Sequence, residues 1–177
     1  MRQYSLAFAT AYLMAGCASA AGPVPLDLAS VKDGARLVGE WRLISYTSSD
    51  SAGRQAPAWG PHPIGLIVYT ANGTMSAQLY DPRRGKFGAL PQAASPELVK
   101  AAFIGGYSYY GTFDVDTAAQ TVTHHVEGAN NPDWIGGNLV RAYRFTGKNV
   151  VSLTVLTNFD GAKVVNGSVL VWERVRR

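Results

Sequence analysis

Apolar and polar residues alternate through eight separate runs of this chain, the period of two that marks half-buried β-strands. The most informative pair is residues 107–116 and 121–128, joined by the short turn Thr117-Ala-Ala-Gln120. Pairing Asp116 with Thr121 sets Phe113 opposite His124, Thr112 opposite His125 and Tyr110 opposite Glu127. One face then carries Tyr109, Phe113, Val115, Val122, His124 and Val126, and the other Tyr110, Thr112, Asp114, Thr123, His125 and Glu127. The apolar face is the one to bury. His124 is therefore expected inside and His125 outside, so the adjacent histidines cannot share a ligand.

The other runs extend this pattern. Residues 37–46 read as the first strand, with Leu37, Gly39, Trp41 and Leu43 on one face and Gly39 leaving room beside the indole. Residues 65–70 and 74–80 flank Asn72-Gly73, a dipeptide that readily takes positive φ. As a two-residue loop it puts Leu66, Val68, Ala77 and Leu79 on one face, with Gln78 and Tyr80 on the other. Residues 139–145, 150–156 and 168–174 complete the eight strands. One helix interrupts them, with Ser95 as N-cap, Pro96 at the first helical position and Glu97 in the first turn. Its apolar stripe is Leu98, Val99, Ala102 and Phe103, and Gly105-Gly106 stops it. Residues 48–63 are a long polar loop in which Trp59 reads as a packing lid. Sequential antiparallel strands joined by turns predict an all-β fold, an eight-stranded antiparallel up-and-down barrel with one short helix. A two-sheet sandwich is the alternative.

Composition narrows the class. With 47% hydrophobic and 16% charged residues, the chain of 177 is a packed globular domain with an N-terminal appendage. The net charge of +4 is spread without a lysine/arginine cluster, so nucleic acid is not an expected partner. Residues 1–20 combine Arg2 with a short apolar run, too short for a lasting span and suited to an export signal. Within it Met14-Ala-Gly-Cys17 resembles the lipobox of bacterial lipoproteins, which implies lipidation of Cys17. Ala18 rather than aspartate then implies anchorage at the outer membrane, facing the periplasm. Ala18-Ser-Ala20 offers the alternative of ordinary cleavage after Ala20 and a soluble periplasmic product. Residues 21–34 are a proline-containing linker and 35–177 the domain.

The chemistry-bearing side chains leave alternatives open. His124 is a hydrogen-bonded core histidine, a polar group in a ligand cavity, or an acid–base catalyst. His125 and Glu127 form an outward pair whose spacing would need a third ligand, such as His62, to hold a metal, and no metal or cofactor is expected. Arg141 shares a face with Leu139, Tyr143 and Phe145. Facing inward, it is a buried cation seeking a carboxylate from Glu127 or from a ligand; facing outward, it is a surface arginine.

A longer set of residues is more specific: Leu37-x-Gly-x-Trp-x-Leu-x-Ser-Tyr46, Tyr69-Thr-x-x-Gly-x-Met-Ser-Ala-Gln-Leu79, Tyr110-Gly-Thr-Phe-x-Val-Asp116, His124-His-Val-Glu-Gly128, Pro132-x-Trp134, Arg141 and Val171-Trp-Glu-Arg174. Together they resemble the lipocalin-like domain family of bacteria and fungi over roughly residues 35–175. That resemblance implies a calycin-type barrel with an internal cavity. It also implies a third role for Arg141, packed over the signature tryptophan. The function expected is binding of a small hydrophobic or amphipathic molecule, with membrane contact only through Cys17. Tyr109, His124 and Arg141 are expected to line the cavity, with Trp41 closing its floor and Trp134 near its mouth. Gln78, Tyr110, His125 and Glu127 are secondary candidates. An isomerase, cyclase or hydrolase working in the same cavity, and a filled barrel with a structural role, are the competing readings.

Overall fold

The computed structural model describes residues 34–50 and 52–176. The export segment with Cys17 and the linker as far as residue 33 lie outside the described residues. Among those described, nine strands form one antiparallel sheet: β1 (Gly39–Ser49), β2 (Gln55–Pro57), β3 (Ile64–Tyr69), β4 (Thr74–Tyr80), β5 (Gly106–Asp116), β6 (Thr121–Ala129), β7 (Asn138–Thr146), β8 (Val150–Val155) and β9 (Val169–Arg174). Neighbours in sequence pair throughout except that β1 pairs with β3, and β9 returns to pair with β1. Eight strands thus close a barrel, which leaves no open edge in its wall. The sandwich is excluded. Strand β2 is a three-residue addition beside the end of β1, within the long polar loop expected over residues 48–63.

The two ends of the barrel differ. The turns at 70–73, 117–120 and 147–149 gather at one end, while the long connections 50–63, 81–105, 130–137 and 156–168 gather at the other. At the short-turn end a helical turn over residues 34–37 brings Leu37 under the barrel, where the Trp41 Nε1–H donates to its carbonyl at 2.7 Å. The guanidinium of Arg174 lies 4.0 Å from the Trp41 ring centroid and donates to the carbonyls of Val38 at 2.8 Å and Arg36 at 2.5 Å. Gly39 has φ +136, and a Cβ there would collide with that guanidinium. The room that Gly39 leaves beside the indole is therefore filled by arginine. The arginine packed over the signature tryptophan is Arg174, not Arg141.

Three irregularities decide which residues face inward. The β3–β4 hairpin closes on Thr70 and Thr74, with a hydrogen bond from Thr70 N to Thr74 O at 2.9 Å, so its loop is Ala71-Asn72-Gly73 with Gly73 at φ +84. A three-residue loop ending in left-handed glycine pairs Tyr69 with Met75 and Ile67 with Ala77. The two-residue reading was out of register by one. Ile67 and Tyr69 are buried, and Leu66 and Val68 lie on the outer face. In β5–β6 the pairs Phe113–His124 and Thr112–His125 form as expected, but a bulge sets Tyr110 opposite Gly128 rather than Glu127. In β1 a shift between Leu43 and Ser45 against β9 turns Tyr46 inward after Trp41 and Leu43.

Helix α1 (Pro96–Ile104) begins as the sequence predicts, with the Ser95 side chain accepting from Leu98 N at 3.3 Å. Its stripe does not pack as expected. Val99, Phe103 and Ile104 are exposed and no residue of the helix is buried, because the helix lies on the outside of the barrel, against the start of β5 and the loop at Gly85.

Candidate functional site

Inside the barrel, toward the long-loop end, lies a cavity of about 190 Å³. Tyr109, His124, Trp134 and Arg141 all line it, together with Tyr46, Tyr107, Phe159 and Trp172 and aliphatic residues that include Ile67, Leu79 and Leu153. Trp41 does not. It is sealed beneath by its own contacts with Leu37 and Arg174.

His124 is held by backbone pairing on both sides, Phe113 on β5 and Leu139 on β7. Its ring, only 1% exposed, spans two hydroxyls: Nε2 lies 2.7 Å from the Tyr69 hydroxyl and Nδ1 3.1 Å from that of Tyr109. Burial, and then the nearby Arg141 charge, hold its pKa well below the ordinary 6.5, so the ring is neutral at neutral pH. A neutral imidazole donates through one nitrogen and accepts at the other. Tyr69 is enclosed and, among the described residues, its hydroxyl has no hydrogen-bond partner but His124, so the assignment that strands no proton has Tyr69 donating to Nε2. Nδ1–H then donates to the Tyr109 oxygen, and the Tyr109 proton is left to point into the cavity. Burial raises the pKa of both tyrosines, well above the ordinary 10.0 for Tyr69, so both keep that proton.

Arg141 enters from β7 and is 8% exposed. Its Nη1 donates to the carbonyls of Val140 at 3.0 Å and Thr157 at 3.3 Å, and its charge lies close enough to Tyr109 to offset part of the rise that burial gives that hydroxyl's pKa. No carboxylate among the described residues pairs with it. Glu127, the expected partner from within the chain, is exposed on the outer face beyond the β6 bulge. Above Arg141 the wall is aromatic. The turn Pro132–Trp134 is capped by the Asn131 side chain, which accepts from Asp133 N at 3.1 Å, and it delivers Trp134 into the barrel. There Trp134 stacks on Phe159 from the 156–168 loop, with centroids 3.7 Å apart and planes 7° from parallel. Tyr107 lies 5.5 Å from Trp134 and 5.4 Å from Trp59, and Trp59 meets Tyr46 edge-on at 4.8 Å. Trp59 is thus buried packing at the mouth. Burial, and then the neighbouring Tyr107, push the pKa of the Tyr46 hydroxyl up to about 12. The Trp172 indole N–H has no hydrogen-bond partner among the described residues.

The secondary candidates stand on the outer surface. Gln78 donates to Ser76 Oγ at 2.9 Å, Tyr110 is 57% exposed, and Glu127 is exposed. His125 bridges Asn138 Oδ1 at 2.7 Å and Asp114 Oδ2 at 2.9 Å. Both contacts raise its pKa, with Asn138 the larger cause. Among the described residues no group of three metal-ligating side chains forms.

Sequence reasoning missed Tyr46, Tyr69, Tyr107, Phe159 and Trp172. Strict alternation from Trp41 and Leu43 would turn Tyr46 outward, and a two-residue loop at Asn72-Gly73 would turn Tyr69 outward, so neither stood out as a lining residue. Phe159 lies in a loop with no period, so only its aromatic character marked it.

No curated protein matches the chain in sequence. Among solved structures the chain is similar to a mutant of the fluorescent protein UnaG, at 9% identity over 77% of this chain and 94% of that one, with a TM-score of 0.34. The family model described as the lipocalin-like domain matches residues 38–175, the whole closed barrel, and the chain belongs to that family.

Proposed function

We propose that this lipocalin-like barrel binds a small amphipathic molecule with an acidic group, whose charge meets Arg141 while its apolar body fills the cavity. One observation carries the reading: Arg141 is buried, lines the cavity, and has no carboxylate among the described residues. A buried guanidinium without a counter-charge is costly, and its two carbonyl contacts supply dipoles rather than charge. A ligand carboxylate would supply the charge and form a charge-assisted hydrogen bond worth about twice a neutral one. The Tyr109 proton adds a second donor. Neutral His124 holds that tyrosine in place, and its two ring nitrogens are both engaged by tyrosines.

Native mass spectrometry of the purified protein tests this. An acidic small molecule is expected on the wild type, released on denaturation, and lost from an Arg141→Met variant that keeps its fold. A wild type carrying only neutral molecules, or a variant carrying the same acid at the same occupancy, would overturn it.

The proposal includes the protein's address. Residues 1–20 direct export, and a lipid on Cys17 anchors the domain to the outer membrane through the 21–34 linker. Its support is the lipobox-like Met14-Ala-Gly-Cys17. Cys17→Ser should move the protein from the membrane fraction to the soluble periplasm. A wild type already soluble, with its new N-terminus after Ala20, would remove the anchor.

A further inference from the structure

The size and wall of the cavity narrow the ligand class beyond the acid-binding reading on which this inference rests. We infer that the ligand is a compact aromatic monocarboxylate, one ring with a short acidic arm, rather than a long-chain acid. The cavity measures about 190 Å³. Pockets for drug-sized ligands run from about 300 Å³ upward, whereas an apolar cavity of about 150 Å³ is enough to hold benzene. The space therefore accepts one six-membered ring and a few further atoms. A sixteen-carbon chain exceeds that space and would have to leave much of its length outside the cavity.

The wall next to Arg141 suits a flat ring. Trp134 and Phe159 stack face to face at 3.7 Å, and Tyr109 meets Trp134 nearly edge-on, with planes 77° apart and centroids at 6.2 Å. Each of these rings is braced by another, so together they present a flat-faced wall of fixed shape rather than one that yields to a flexible chain. A planar ring gains offset or edge contacts with these rings beyond the area it buries, which an alkyl chain does not. At the polar end, one carboxylate oxygen takes the Arg141 N–H groups and the other the free Tyr109 proton. That donor set holds one acid group.

Titration calorimetry on purified protein freed of bound small molecules tests the class with four probes: 3-phenylpropenoate, its primary amide, decanoate and hexadecanoate. The expected result is that 3-phenylpropenoate binds about tenfold or more tighter than each of the other three, a margin of one charge-assisted contact or one to two ring contacts. Arg141→Met should then weaken 3-phenylpropenoate to the level of the amide. Phe159→Leu should weaken 3-phenylpropenoate while leaving decanoate within about twofold, since leucine keeps apolar area but removes the ring. If decanoate or hexadecanoate binds as tightly as 3-phenylpropenoate and still depends on Arg141, the aromatic class is wrong and the acid-binding reading stands. If the amide equals the acid, or none of the acids binds, both fall.

Discussion

The adjacent histidines should have opposite effects on stability as pH changes, and His124 should dominate. Its folded pKa lies well below the ordinary 6.5, because burial and Arg141 disfavour the imidazolium. Once the chain unfolds, the ring titrates normally. Below 6.5 the unfolded state therefore binds a proton that the folded state refuses, and stability falls as pH falls, at up to about 1.4 kcal/mol per unit. The contribution is complete above that value, and up to about 2 kcal/mol of it is lost between pH 8 and pH 5. His125 has the opposite sign. Its folded pKa is raised, so its contribution is present below 6.5 and lost as pH rises through the raised value. With a side chain 37% exposed it is screened by water and weaker. Asp50 and Asp81, held below the ordinary 3.8 mainly by hydrogen bonds from Arg54 and Arg83, contribute stability that is lost only at lower pH, within the carboxylate range. The window from about pH 6.5 to 5 therefore belongs to the histidines.

Urea unfolding followed by tryptophan emission, at constant ionic strength across that window, reads the slope directly. His124→Gln should lower stability at neutral pH by about 1–3 kcal/mol, because the buried hydroxyls of Tyr69 and Tyr109 lose a matched partner. The same variant should flatten the acid limb. His125→Gln should leave that limb in place and make it slightly steeper. If His124→Gln unfolds with the wild-type slope between pH 6.5 and 5, the imidazole is not the group that resists protonation, and the neutral Tyr69–His124–Tyr109 chain is wrong.

Other perturbations test the floor and the cavity. Arg174→Met removes a cation–π contact and two hydrogen bonds to carbonyls at the short-turn end, and should cost about 2–3 kcal/mol in urea unfolding, with a shift in Trp41 emission. Gly39→Ala should cost about as much, from positive φ and the collision with the same guanidinium. Because that collision exists only while Arg174 is present, the double variant should lose less than the sum of the two, and strict additivity would refute the shared space. Tyr109→Phe should weaken binding of an acidic ligand by about tenfold through loss of the second donor, and destabilise the fold by about 1 kcal/mol; unchanged affinity would mean that its proton does not face the ligand.

Much of this barrel is written in local alternation, which fixes a residue's face wherever a strand is regular. Trp41, His124 inside, His125 outside and the Phe113–His124 pairing follow from it. What alternation does not carry is where a strand skips a residue. The bulges in β1 and β6 and the β3–β4 loop each shift the count by one, and each moves a residue between faces: Tyr46 inward, Ala129 inward opposite Tyr109, Tyr69 inward. At the β3–β4 loop two local preferences compete. Asn72-Gly73 favours a two-residue loop, which would close Ala71 on Thr74 and bury Leu66 and Val68. The protein instead closes Thr70 on Thr74 and buries Ile67 and Tyr69, so that the Tyr69 hydroxyl reaches His124 at 2.7 Å. Packing across the barrel has overridden the turn. Deleting Ala71 removes the conflict, because Asn72-Gly73 would then form the two-residue loop with Thr70 still facing Thr74. If interior packing sets the register, the deletion variant should keep the Tyr69–Met75 pairing and the wild-type acid slope, with stability changed by no more than about 1 kcal/mol. Cross-strand NOEs between Tyr69 and Met75 would report the register directly. Loss of those NOEs with appearance of a shifted register would mean that the turn, not the tyrosine and histidine inside, holds β3 in place.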